Sequence, residues 1–155
     1  KTAPGLRALD KKAAMIGGGE PHRFSLSDMF LIKDNHLALV GIEEAVRRAK
    51  AYSRYHRIEV EAESADDAVR AARAGADIAL LDNMTPAGVA EALDALRAAG
   101  LRDRVTIEVS GRVTAETVPA YAGAGSRYQQ HWRADPYRQK HGPRSGHHLI
   151  GPTQV

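Results

Sequence analysis

Polar residues able to carry chemistry recur in this sequence where apolar runs end. Met29–Lys33 leads into Lys33-Asp34-Asn35-His36, and Arg57–Glu61 carries Glu59 and Glu61. Asp77–Asp82 ends in Asp82-Asn83, and Val105–Val109 offers Glu108 before Ser110-Gly111. Lys1, His22, Arg23 and Lys33 supply positive charge or the capacity for it. Lysine and arginine suit carboxylates and phosphates, and arginine can bind them through two parallel hydrogen bonds. Glu61 and Asp82 are acids that could hold a hard cation such as Mg²⁺ through water, or accept from sugar hydroxyls. Ser110-Gly111 precedes an expected helix start, where free backbone N–H groups favour a phosphate. An anionic substrate with a metal-bound phosphorylated sugar fits this set. Nucleophilic triads and zinc sites fit poorly: cysteine is absent, and His22 and His36 lack close ligand spacing.

These groups need a scaffold that brings them to one place. The four apolar runs read as strands, and helical patterns lie between them. Ile42–Ala51 has apolar residues at helical spacing, and Leu6–Ala14 reads as a first helix stopping at Gly17-Gly18-Gly19. Ser64 and Asp67 form a capping box before Ala65–Ala74, with Gly75 as the stop. Thr85 caps a helix over Pro86–Ala98, with proline at its first position. Thr114 is expected to cap Ala115–Ala122. Strand–helix alternation implies parallel strands and right-handed crossovers. The glycine fingerprint of a dinucleotide-binding sheet is missing, because the Gly17 cluster follows a helix. A barrel-type sheet is therefore expected, and in such barrels the C-terminal strand ends carry catalytic groups. Four or five strands cannot close a complete eight-stranded barrel.

Composition bounds the reading further. The chain has 155 residues, 43% of them hydrophobic, which excludes a disordered chain. No apolar run approaches the ~20 residues of a membrane span, and no signal peptide opens the chain. A reducing cytoplasm suits the lack of cysteine. The net charge of +3 is uneven: residues 126–155 carry +4 and residues 1–125 carry −1. Four of the seven histidines and the only tryptophan, Trp132, also lie in that tail. The shift divides the chain into a catalytic part, 1–125, and a basic tail, 126–155.

Each residue also has a plain structural reading. Lys1 starts the chain, His22 suits a turn, and Arg23 suits a solvated surface. Lys33 and Asp34 suit a strand-end ion pair. Asp34 and His36 read as mainly structural in an Asp-Asn turn, and Asn83 as a cap for the next turn. Glu59 and Glu108 alternate with core residues; they point outward or join a network inside the barrel.

The order of the motifs weighs against those readings. Lys1-Thr2-Ala3-Pro4-Gly5-Leu6-Arg7, the Gly17 cluster with His22-Arg23, and Leu31-Ile32-Lys33-Asp34-Asn35-His36 resemble the quinolinate phosphoribosyltransferase family. Glu59-Val60-Glu61, Leu81-Asp82-Asn83 and Glu108-Val109-Ser110-Gly111 continue the resemblance in order. It covers about residues 1–125. It implies a type II phosphoribosyltransferase with an incomplete TIM-like α/β barrel, truncated at its N-terminus and aberrant at its C-terminus. The implied reaction joins quinolinate to phosphoribosyl pyrophosphate with Mg²⁺, giving nicotinate mononucleotide, pyrophosphate and CO₂ for NAD synthesis. By the same resemblance, Lys1, His22, Arg23 and Lys33 face the quinolinate carboxylates and a nearby phosphate. Glu61 and Asp82 face the ribose and the metal, and Ser110 and Gly111 face the 5′-phosphate. Lys1, Lys33, Glu61 and Asp82 are the catalytic set so implied.

Three departures stand out. The family has a domain upstream that completes a partner's site in a homodimer or higher oligomer. Arg112 stands where the family usually has glycine. The tail does not look like the family, which should continue with a segment like GALTHS. From about Ser126 on, codons permitted by the tail, shifted one base, read VDISSIGALTHTVKSM. The tail is therefore expected to be out of frame and poorly ordered, and the chain alone to be inactive. Two alternatives stay open: a related type II phosphoribosyltransferase for another aromatic acid, or a degenerate non-catalytic fragment with a nucleic-acid-binding tail. The leading reading needs neither nucleic acid nor membrane.

Overall fold

The computed structural model describes residues 2–18, 21–111, 113, 114 and 116–122, and the backbone of 128–130. Five strands form one sheet: β1 (Met29–Ile32), β2 (Arg57–Ala62), β3 (Ile78–Asp82), β4 (Thr106–Ser110) and β5 (Tyr128–Gln130). All four strand pairs are parallel, and the spatial order follows the chain order. A doubly wound sheet reverses direction at a switch point. This sheet winds one way only, as a barrel segment does.

The helices are α1 (Arg7–Ile16), α2 (Asp34–Val40), α3 (Ile42–Tyr52), α4 (Ala65–Ala74), α5 (Pro86–Ala98) and α6 (Val118–Ala122). Local chemistry fixes several of their ends. Ser64 Oγ accepts from the Asp67 N–H at 3.1 Å and donates to the Asp67 carboxylate at 2.6 Å. At the other end of α4, the Gly75 N–H reaches the carbonyls of Ala71 and Ala72. Thr85 Oγ1 accepts from the Gly88 N–H at 3.2 Å, and Pro86 opens α5.

Strand parity separates core from site. Alternate strand residues face opposite sides of a sheet. Ile58, Val60 and Ala62 of β2, Ala79 and Leu81 of β3, and Ile107 and Val109 of β4 are buried in two apolar clusters with α3, α4 and α5. Leu93 and Leu96 on α5 are fully buried there. Burying each such leucine stabilises by about 1.5–3 kcal/mol. The intervening residues, Glu59, Glu61, Glu108 and Ser110, point to the other face. The helices thus cover one side, and the strand polar groups gather on the side that becomes a barrel interior.

Two expectations change. The Lys33-Asp34-Asn35-His36 segment is not a simple turn: Asp34 opens α2, and His36 Nδ1 accepts from the Lys33 N–H at 3.1 Å. The last helix is only Val118–Ala122 rather than 115–122. Thr114 and Thr117 bond each other's backbone and side chains, which makes a turn. Pro119 has no N–H to continue a helix from further upstream, so α6 starts just before it. Lys1, Arg112 and the tail beyond Gln130 lie outside the described residues.

Candidate active site

Parallel strands deliver their C-terminal ends to one edge, and there the polar residues meet. Lys33 follows β1, Glu61 lies near the end of β2, and Asp82 and Ser110 close β3 and β4. Asp82 pairs in register with Ser110. Burial pushes the Glu61 carboxyl above its ordinary range; Lys33 pulls it back, and Asp82 and Asp34 raise it further. The four groups therefore share one electrostatic neighbourhood, although they come from three strand ends. Glu61 Oε2 is buried with no hydrogen-bond partner among the described residues. Lys33 is exposed beside this acid pair.

The β3 and β4 ends are knotted together. Asn83 has φ 54°, a left-handed backbone. Its side-chain amide donates to the Asp82 carboxylate at 2.6 Å, and its N–H donates to the Ser110 carbonyl at 3.0 Å. Asn83 therefore fixes Asp82 rather than capping the next helix; Thr85 does that. Gly111 packs directly on this turn at φ 111°. A Cβ there would lie 2.5 Å from Asn83 Oδ1 and 2.9 Å from its Cα and N. Among the described residues, the next helix after Ser110-Gly111 is α6, which starts at Val118. The structure therefore adds no helix-terminus support for a phosphate there, and Ser110 and Gly111 rest on the motif resemblance.

His22 and Arg23 sit in an irregular segment between α1 and β1, and polar clamps hold it. The Lys11 ammonium donates to the carbonyls of His22 and Arg23, the latter at 2.9 Å. Arg7 donates to the Phe24 carbonyl at 3.3 Å, and its guanidinium lies 5.9 Å from the Phe24 ring centroid. Asp28 accepts from the backbone N–H groups of Phe24 and Ser25 at 2.6 and 2.9 Å. The Ser25 hydroxyl and these N–H groups hold the Asp28 carboxyl below its ordinary range. His22 Nε2 lies 2.8 Å from Glu59 Oε2.

That last contact brings in residues the sequence left undecided. Glu59 is 0% exposed and Glu108 only 4%. With His22 they form a cluster whose ligand atoms lie within 4.8 Å of one another. Both acids thus belong to an interior network, and the outward orientation is excluded. Lys11 lies within electrostatic reach of Glu108, and burial pushes its ammonium below the ordinary lysine range. Nothing in its sequence context singles out Lys11: it sits beside Lys12 on a helix with no buried residue. Of the expected site residues, Lys33, Glu61, Asp82, Ser110 and Gly111 lie along one sheet edge. His22 anchors to β2 through Glu59, two residues before Glu61, and Arg23 is half-buried beside it.

A one-way parallel sheet with Lys33, Glu61 and Asp82 at its C-terminal edge defines an α/β domain of barrel type. The chain belongs to the quinolinate phosphoribosyltransferase family: residues 1–129 match the model of quinolinate phosphoribosyl transferase, C-terminal domain. It is 52% identical over 127 residues to a probable nicotinate-nucleotide pyrophosphorylase [carboxylating] of Methanothermobacter thermautotrophicus, covering 81% of this chain and 46% of that protein. The human nicotinate-nucleotide pyrophosphorylase [carboxylating] is 38% identical over 125 residues, covering 79% of this chain and 41% of that protein. The solved structure of the nicotinate-nucleotide pyrophosphorylase from Francisella tularensis matches with a TM-score of 0.75 at 36% identity, over 83% of this chain and 45% of that one. The chain therefore spans about half the length of the relatives it matches.

Proposed function

We propose that this chain is the catalytic-domain part of an enzyme that transfers phosphoribose from phosphoribosyl pyrophosphate to quinolinate, with loss of CO₂. The observation that carries the reading is the sorted charge of the strand-end edge: Lys33 beside Glu61 and Asp82, with His22 held on β2 by Glu59 and the Arg23 backbone held by Lys11. A dicarboxylate and a pyrophosphorylated sugar repel each other, and His22, Arg23, Lys33 and Lys1 offset that repulsion. The ring nitrogen then attacks the anomeric carbon as the bond to pyrophosphate breaks. Positive charge develops on the sugar, and the acids Glu61 and Asp82 stabilise it across a short distance. Ribosylation leaves the ring nitrogen cationic. Its charge stabilises the electron pair left on the adjacent ring carbon when the carboxylate departs as CO₂, and that pair then takes up a proton. Ser110 and Gly111 are assigned to the 5′-phosphate by motif.

Glu61 and Asp82 also fit Mg²⁺, held largely through water. The unpartnered buried oxygen of Glu61 and the mutual repulsion of the two acids favour a cation there. When bound, Mg²⁺ neutralises charge on the departing pyrophosphate. A homodimer in the cytoplasm completes the proposal. Leu9, Ile16, Leu26 and Leu39 are 64–82% exposed, which supports burial against further protein. No helix among the described residues is long and apolar enough to cross a membrane.

The test is Lys33→Ala in the frame-corrected protein, extended to the length of its relatives. Removing a charge-assisted contact to substrate costs about 2–4 kcal/mol, so kcat/KM should fall roughly 30- to 1000-fold. Unchanged turnover would overturn the site assignment.

A further inference from the structure

The His22-Arg23 segment has no helix or strand to hold it, yet it must present both side chains in fixed directions. Its supports come from beneath, on groups that touch no substrate in the proposed reaction. Lys11 grips the two backbone carbonyls. Glu59, 0% exposed on β2, grips the His22 ring at 2.8 Å. As a carboxylate Glu59 only accepts, so the shared hydrogen sits on Nε2 of His22. A buried carboxylate is costly unless paired; Glu59, flanked in register by Leu31 and Ile78, is paired by His22, and Glu108 lies within electrostatic reach of Lys11. Outer partners of this kind fix both the tautomer and the ring orientation of histidines that do chemistry.

We infer that Glu59 is a positioning residue: it accepts from Nε2 of His22 and so fixes the ring, aiming Nδ1 of His22, with the Arg23 side chain, at a carboxylate of the acid substrate with which Nδ1 shares a hydrogen, while Lys11 fixes their backbone. The inference rests on the proposed phosphoribosyl transfer for its consequence, but its geometry stands on the His22–Glu59 pair alone. The Glu59 oxygen that His22 does not use has no hydrogen-bond partner among the described residues, so His22 is the contact that Glu59 is placed to make.

Two readouts test it. Nitrogen-15 NMR of histidine-labelled chain, with His22 assigned through His22→Ala, reports the tautomer directly. The expected result is hydrogen on Nε2, joined by hydrogen on Nδ1 when quinolinate is bound, and a mixture of forms in Glu59→Gln, whose amide both donates and accepts. Nε2 without hydrogen in the unsubstituted chain would overturn the inference, and this readout does not require the variant to fold. Kinetics of the frame-corrected, relative-length protein supply the second readout. Glu59→Gln should raise KM for quinolinate on the order of 10-fold and leave KM for phosphoribosyl pyrophosphate within about twofold. In a His22→Ala background the same substitution should change neither. Equal losses for both substrates, or a full loss in the His22→Ala background, would reduce Glu59 to a general structural role and refute the inference. Stoichiometric Zn²⁺ binding that Glu59→Gln abolishes would also refute it, making His22, Glu59 and Glu108 a metal site. A protein that fails to use quinolinate defeats the functional reading; the tautomer still decides the hold of Glu59 on His22.

Discussion

Replacing Gly111 by alanine drives a Cβ into the turn that holds Asp82. The new atom would lie 2.9 Å from both Cα and N of Asn83, and 2.5 Å from its Oδ1. The side-chain amide can swing away, but the backbone atoms cannot. Overpacking of that kind costs about 1–3 kcal/mol. The backbone at φ 111° adds about 1–3 kcal/mol for any residue with a Cβ. A loss of about 4 kcal/mol follows, or a fall in Tm of roughly 16 °C at about 4 °C per kcal/mol. Gly100 supplies the control: its φ is 68°, but nothing lies within 4 Å of its Cβ position. Gly100→Ala should therefore cost only the backbone part, about 1–2 kcal/mol. Urea and thermal unfolding followed by circular dichroism would measure both. Equal costs for the two substitutions would refute the close approach of Gly111 to Asn83.

Acid should expose the tie between α3 and α4. The Arg70 guanidinium bonds Glu43 at 2.8 and 2.9 Å and holds its carboxyl at about 2, below the ordinary 4.5. The unfolded chain binds that proton first, so this contribution is present above pH 4.5 and lost as pH falls towards 2. Tm of Arg70→Gln should fall less steeply over that window; an unchanged slope would contradict the coupling. The coding DNA tests the tail: a one-base shift near codon 126 should restore the VDISSIGALTHTVKSM reading. A shifted translation without that motif would sink the out-of-frame proposal.

Much of the fold was legible because its signals are local. Ser64 with Asp67, and Thr85 with Pro86, cap their helices within one turn, and the helix over Pro86–Ala98 runs as expected. Strand positions shift by a residue at their ends, where ladder bonding rather than apolarity decides. What escaped depends on distance along the chain. Glu59 and His22 are 37 residues apart and meet through an irregular segment that no periodicity describes. Lys11 reads as an ordinary helix-surface charge until its ammonium is found on the carbonyls of His22 and Arg23. Asp34–Val40 is a helix of only 7 residues, too short to show a period, and its Asp-Asn start imitates a turn. Glu59 and Glu108 alternate with apolar residues as surface acids do. Only the closing of polar strand faces towards a barrel interior makes them buried.

The central claim is that the strand-end edge serves carboxylating transfer of phosphoribose to a dicarboxylate. Product analysis of the purified, frame-corrected protein at the length of its relatives tests it most directly. With quinolinate, phosphoribosyl pyrophosphate and Mg²⁺, the account predicts nicotinate mononucleotide, pyrophosphate and CO₂ in equal amounts. A nucleotide that retains both carboxylates, or turnover of another aromatic acid with none of quinolinate, would contradict it.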